Sequence, residues 1–360
     1  MQRIIVSLGT LLCVLAGWLL AGNRRPPPQE IVAPVPTPLR AEAAILSAAP
    51  KARDASDIVA RVVAKFSAEH QSSEVSAELF AELQDLPAED FGSVIAILVS
   101  TKNWENARLL AGYWAERDLP AARDWALGLP DGNFTGAVFD TWGFRDFPGM
   151  CDWLEAHPDA LASESHRDAA GFSLAKAAGR NDPERGLHLL KVLKGGHAWN
   201  LFNVWAKREP LAAANRALQV PDERVRRDGI YAVSSEWGPV DPAGARAWAE
   251  TIPDPIVSKD TVVYIGSALG WKDAAAGAAY LAQIPQSNEA RKALRDTVSN
   301  WAERDPDSAF RWAADLADAG LGDWVAAEVK AKAPPEQRAK MEERWSELRA
   351  AKPTSSQPAR

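Results

Sequence analysis

The chain has 360 residues, 47% of them hydrophobic and 25% charged, an ordinary balance for a folded body. Its net charge of −7 argues against nucleic acid as the main partner, because phosphate binding needs basic stripes. Cys13 sits inside an apolar run, so a disulfide to Cys151 is implausible, and the five His (His70, His157, His166, His188, His197) are scattered without metal-ligand spacing, so neither a metal nor a cofactor is expected.

Residues 1–22 are read as a membrane anchor or signal segment. Ile4 to Ala21, "IIVSLGTLLCVLAGWLLA", carries no charge. As a helix it spans about 27 Å, close to the ~30 Å hydrocarbon core. Two readings compete: an uncleaved anchor and a cleaved secretory signal. The run is long for a signal, and neither Leu19-Leu20-Ala21 nor Leu20-Ala21-Gly22 has small residues at both −3 and −1 of a cleavage site, which favours the anchor. Cys13 follows Leu11-Leu12 and lacks the small residue a lipoprotein site wants. Arg3 on one side and Arg24 and Arg25 on the other leave the orientation nearly balanced. The expected location is a single pass through a bacterial inner membrane with the body outside the cytoplasm; the alternative is a periplasmic or secreted protein after cleavage.

Residues 23–55 read as a linker. Residues 23–40 hold six prolines, and an extended polyproline path makes them a semi-rigid spacer of about 50 Å. Residues 56–350 are predicted to form a helical repeat domain, and the polar tail 351–360 to be disordered. Ser56 is a candidate cap for a helix with Ile58, Val62 and Phe66 inward, and "SAELFAELQDLP" (76–87) reads as a further helix ending in Leu-Pro.

The clear units begin at Trp114. From landmarks 114, 142, 178, 205, 237, 269 and 301 one layout recurs. An acid stands four residues on: Asp118, Asp146, Asp182, Glu209, Asp241, Asp273 and Asp305. Proline follows directly at Pro183, Pro210, Pro242 and Pro306, or one step later at Pro120 and Pro148. Eight residues after the landmark the side chain is usually tiny: Ala122, Gly186, Ala213, Ala245, Gly277, Ala309. Eleven after, a ring is common: Trp125, Trp153, Trp248, Tyr280, Trp312. Pro130, Pro158, Pro221, Pro253 and Pro285 close the unit. The last three intervals are 32 residues each.

Aspartate caps a helix N-terminus by accepting from free backbone N–H groups and facing the positive helix end, and proline suits the first turn, whose N–H needs no partner. Asp-Pro therefore starts a helix, A. Ala245, Trp248, Ala249 and Ile252 then fall on one face of it. A helix B follows, from about Ile256 to Leu269, with Val257, Thr261, Tyr264, Ile265 and Ala268 on one side; in the preceding unit Ile230, Val233 and Trp237 point inward. Landmark Trp114, Trp142, Trp205, Trp237 and Trp301 close helix B, while Trp125, Trp153, Trp248 and Trp312 fill helix A. One hairpin cannot bury such a stripe, so the hairpins must stack. The expected fold is all-α, an α-solenoid of antiparallel hairpins. "PPEQRAKMEERWSELRAA", with Met341, Trp345 and Leu348 on one face, reads as its terminal cap.

The pattern W-A-x-x-D-P-x-x-A-x-x-W-A-x-x-x-P resembles the tandem helical-hairpin repeats of certain bacterial envelope proteins, and is loosely similar to tetratricopeptide and HEAT repeats. The resemblance covers residues 75–330 and implies a fold, with no catalytic residues. No nucleotide-binding, metalloprotease or serine-hydrolase motif is found. "KGGHAWN" from Lys194 reads as an irregular connection, with His197 a minor functional candidate; Asn133-Phe134-Thr135 matches a glycosylation sequon; "ERVRRD" (223–228) reads as a solvated basic face. The expected function is a membrane-tethered scaffold for unknown protein partners. The alternative is a glycan-binding or glycan-acting protein that uses groove carboxylates with Trp199, Trp271 and Trp324.

Overall fold

A computed structural model describes residues 62, 64, 83, 84, 86–161, 163–194, 196–316, 318–333 and 335–351. The apolar run 4–21, the linker 23–55, most of the helices expected around 56–82 and the tail from 352 lie outside the described residues. Among those described, no helix is long and apolar enough to cross a membrane. The described chain is all-helical and forms two compact units that divide after His197.

Unit 1 holds α1 (Phe91–Ser100), α2 (Trp104–Arg117), α3 (Leu119–Gly128), α4 (Thr135–Arg145), α5 (Phe147–Ala156), α6 (Glu164–Arg180) and α7 (Pro183–Val192). The B helices α2, α4 and α6 pack side by side, and α3 lies against α2 and α4. Helix α1 is off the period. It ends where Lys102 takes a left-handed φ of 60°, with the Asn103 N–H donating to the Leu98 carbonyl. Its Phe91 lies flat on Trp114, ring centroids 5.7 Å apart.

Unit 2 holds α8 (Ala198–Ala206), α9 (Pro210–Leu218), α10 (Glu223–Trp237), α11 (Pro242–Ala249), α12 (Pro255–Lys272), α13 (Ala274–Ala282), α14 (Asn288–Arg304), α15 (Pro306–Asp315), α16 (Ala319–Lys332) and α17 (Pro335–Ala351). Its B helices α8, α10, α12, α14 and α16 pack in chain order, each against the next. The A helices fill the other layer, α13 for example lying between α12 and α14. The face expected on α11 is the buried one: Ala245, Trp248, Ala249 and Ile252 are all buried. Helix α12 runs three residues past the expected Leu269, to the turn residue before Asp273. Thr261 and Ile265 on it are fully buried, whereas Tyr264 is half-buried and stacks on Tyr231 of α10, with centroids 4.7 Å apart. Ile230 and Val233 are buried and Trp237 is half-buried. At the end, Met341 and Trp345 of α17 cover the core, and the Trp345 indole N–H donates to Asp323 at 3.2 Å. The expected terminal cap is this helix.

A recurrent tie runs from the start of a helix back to the end of the helix, or the connection, before it. The Arg167 guanidinium donates to the Leu161 carbonyl, Arg226 to those of Val220 and Pro221, and Arg338 to those of Ala333 and Ala331. Ser258 does the same for Ala249. These carbonyls have no intrahelical partner at a helix C-terminus, and the ties supply one.

Candidate functional site

The repeated tryptophans and aspartates meet at one structure, the turn from helix B to helix A. It is a single residue long at Asp118, Asp146, Asp273 and Asp305, and two to four residues long at Asp182, Glu209 and Asp241. At all seven positions the acid takes φ between −138° and −148° and ψ between 66° and 102°. Its N–H still belongs to helix B, donating to the landmark carbonyl: Asp118 to Trp114, Asp146 to Trp142, Asp241 to Trp237, Asp273 to Leu269, Asp305 to Trp301. Its own carbonyl already belongs to helix A, accepting from the residue four ahead, as Asp241 does from Ala245. The carboxylates of Asp118, Asp146, Asp182, Asp241, Asp273 and Asp305 accept from the N–H three residues on. The expected aspartate caps are therefore caps. Glu209 is the correction. Its longer side chain makes no cap bond and instead accepts from the Trp205 indole N–H at 3.5 Å.

The two tryptophans of a unit touch across this corner. Ring centroids lie 5.4 Å apart for Trp114–Trp125, 5.6 Å for Trp142–Trp153, 6.1 Å for Trp237–Trp248 and 5.7 Å for Trp301–Trp312. Such pairs add about 0.5–1.5 kcal/mol beyond the area they bury. The rings also reach the next unit, as Trp125 does to Phe134 just ahead of α4, with centroids 5.2 Å apart.

A row of small residues that the period search overlooked explains how helix A can fold back so sharply. The residue directly after the landmark is Ala115, Gly143, Gly179, Ala206, Gly238, Gly270 or Ala302, and all are buried. It faces the small residue of helix A. The approach is closest at Gly277, where an added Cβ would stand 2.3 Å from the Gly270 Cα. Where helix A carries Met150 instead, the facing residue is Gly143, whose added Cβ would sit 3.0 Å from the Met150 Cε.

These carboxylates are thus spent on backbone, and among the described residues no group of three or more His, Cys, Asp or Glu could hold a metal ion. Trp199, Trp271 and Trp324 do not line the cleft of about 420 Å³ in unit 1, which Tyr113, Glu116, Arg117, Trp142 and Arg145 help to form. Trp271 stands exposed, and Trp324 packs on the core under Arg295, 5.6 Å from the ring. Asn133 lies in the turn before α4, its N–H held by the Asp131 carboxylate. In "ERVRRD" Arg226 serves as a tie, and burial pushes the Asp228 carboxyl above its usual range.

His197 sits in the connection after α7, where Lys194 takes a φ of 54°. Its Nε2 lies 2.9 Å from Asp168, its ring meets Phe172 edge-on at 5.7 Å, and Gly171 leaves the space it occupies. The neighbouring Lys176 lies over Phe172 and pairs with Asp140 of α4 at 2.8 Å. A His–carboxylate pair can orient a base, but no nucleophile is placed against it here. His166 is the other ordered histidine. It is 3% exposed, its Nε2–H donates to the Leu129 carbonyl, and burial holds its pKa below the ordinary histidine value.

What remains in register on the surface is the outward face of the B helices. Within unit 1 it links Asp140 to Lys176, and within unit 2 Tyr231 to Tyr264 and Arg295 to Glu328, while Asn203, itself buried, donates to Glu236. Comparison with family profiles, with curated proteins and with solved structures finds no match to the chain.

Proposed function

We propose that the chain is a membrane-tethered scaffold, an α-solenoid whose stacked hairpins hold protein partners in a bacterial cell envelope. One observation supports this most. Neighbouring B helices set outward residues side by side, so that Tyr231 meets Tyr264 and Arg295 meets Glu328. Ladders of polar and aromatic groups with regular spacing are the means by which helical repeats bind extended partners. The indoles and corner aspartates, by contrast, support the scaffold from inside. The tether rests on the 18-residue apolar run and the proline-rich spacer behind it.

The test is quantitative crosslinking and pull-down from native membranes, comparing the wild-type chain with Tyr231→Asp/Tyr264→Asp. The expected result is a small set of proteins enriched with wild type and lost with the double variant at unchanged helix content. A set identical for both would remove this face from the function. Enrichment of glycans rather than proteins would replace the reading.

A further inference from the structure

Asn203 meets Glu236 near the ends of α8 and α10, and Tyr231 meets Tyr264 at like places on α10 and α12, so these neighbouring B helices run the same way and their C-terminal corners lie at one edge. Three of the most exposed large apolar residues of the chain lie on it, on three consecutive corners: Leu211 at 54% exposure, Val240 at 76% and Trp271 at 67%. The register makes this unusual. The residue three after the landmark is basic in five of seven units, Arg117, Arg145, Arg208, Lys272 and Arg304, which suits the negative end of helix B. At the corner of α10 it is Val240. Single exposed apolar residues are normal; three aligned on neighbouring repeats form a stripe.

We infer that this edge docks on a phospholipid bilayer, with Leu211, Val240 and Trp271 in the interface and Lys272 on its headgroups. The inference rests on the tethered reading above. Three features of the edge single out a lipid surface. Tryptophan prefers the membrane interface, where its ring is apolar and its N–H wet. The corner carboxylates Asp241 and Asp273 are turned onto the backbone N–H groups of Gly244 and Ala276. Lys207 and Arg208 face Glu236 and Glu209 at 3.8 and 3.7 Å, whereas exposed Lys272 makes no ion pair among the described residues, as anionic headgroups require. The third is chain length. An apolar anchor ending at Ala21 holds the body near the bilayer through a linker. Three side chains bind a membrane weakly from solution, but a tether supplies an effective concentration at which a weak edge stays seated.

The experiment uses the full chain reconstituted into vesicles of phosphatidylethanolamine and phosphatidylglycerol. Cys13→Ala is introduced, Cys151 being buried and shielded from label. An environment-sensitive fluorophore is placed through Val240→Cys or, as control, through Ile256→Cys, which is 70% exposed at the opposite end of α12. The expected result is flotation of both proteins with the vesicles, and several-fold stronger quenching by lipid-borne quencher at 240 than at 256. Adding Trp271→Glu should return the 240 label to aqueous quenching. Vesicles of phosphatidylcholine alone should weaken the signal; equal quenching there would overturn the role given to Lys272. Flotation with both labels aqueous overturns the edge and leaves the tether standing. Lipid quenching at both positions overturns it too, because no edge is then selected. A chain that stays out of the floating fraction overturns the tether and the seated edge with it.

Discussion

Two consecutive corners of unit 2 have nearly the same backbone and very different side chains. Asp241 turns the chain at φ −142°, ψ 80°, with a cap bond to Gly244 and the Trp237–Trp248 ring pair packed across the turn. Glu209 turns it at φ −138°, ψ 66°, with no cap bond, and the ring position of helix A holds Arg216. Both keep proline at the first helical position and alanine or glycine on each side of the close contact. The shape of the corner therefore follows from the proline, the small residues and the last hydrogen bond of helix B. Cap and rings add stability to a turn that already exists.

The largest effect should come from removing a ring at the full corner. Trp248 is 4% exposed, and Trp248→Ala should cost about 3–5 kcal/mol. Arg216→Ala at the poor corner should change little, and Trp324→Ala, half-buried and outside the pattern, should fall between them. Denaturant midpoints of the full chain in detergent, read on the unit 2 transition, check the order. Equal losses for Trp248 and Trp324 would break the distinction between pattern and packing.

Next comes the close contact. Gly277→Val places two methyl groups against the Gly270 backbone, and overpacking of this kind costs about 1–3 kcal/mol or more. The same melts should show it. A neutral result would mean that helix A can slide away from helix B without loss, and that the small residues do not set the corner.

The caps should sharpen the comparison in both directions. Asp241→Ala should cost about 0.5–2 kcal/mol, while Glu209→Asp, which supplies the missing cap, should stabilise by a similar or smaller amount. Loss of partner binding by Asp241→Ala at an unchanged melt would make that aspartate functional. The carboxyl of Asp305 is held below its usual range, first by the Ser308 side chain and then by its backbone N–H. Its contribution is present above the unfolded carboxylate range and lost as pH falls through the lower folded value.

The smallest effect separates the units by acidity. Burial depresses the pKa of His166, so below about 6.5 the unfolded chain binds more protons than the folded one. Stability of unit 1 should decline as pH falls from that value toward the folded pKa. His166→Gln should flatten this slope without touching unit 2. Thermal melts across that window decide it, and an unchanged slope would place the acid sensitivity elsewhere.

Much of the fold was legible because the corner is written locally. Asp followed by Pro has one reading at a helix start, and Ala245, Trp248, Ala249 and Ile252 mark one face with no help from the rest of the chain. The partner row of small residues, from Ala115 to Ala302, was visible at the same period but gains its meaning only once helix A is folded back on helix B. The arginine ties could not be read at all. Arg167 and Arg226 look like solvated charges until the preceding helix ends beside them and leaves carbonyls unpaired. The helical period groups Tyr264 with Thr261 and Ile265 on one side, but it does not know the preceding B helix, whose Tyr231 stacks on Tyr264 and leaves it half-buried. The outward ladders were invisible for the same reason: neither helix carries the signal alone.

The fixed step of four residues from landmark to corner acid also decides where the protein can change length. A joint that keeps this step at all seven corners admits neither insertion nor deletion, since either would rotate helix A off its neighbour. The connections from A back to B have no such limit, running from three residues at 316–318 to seven at 157–163. The irregular spacing of the early landmarks is absorbed mainly in the length of helix B, 11 residues in α4, 17 in α6 and 9 in α8. One margin of the protein is sealed and the other is open to splicing, so an affinity tag, a reporter domain or new chain ends will be accepted in the A-to-B loops and rejected one helix away.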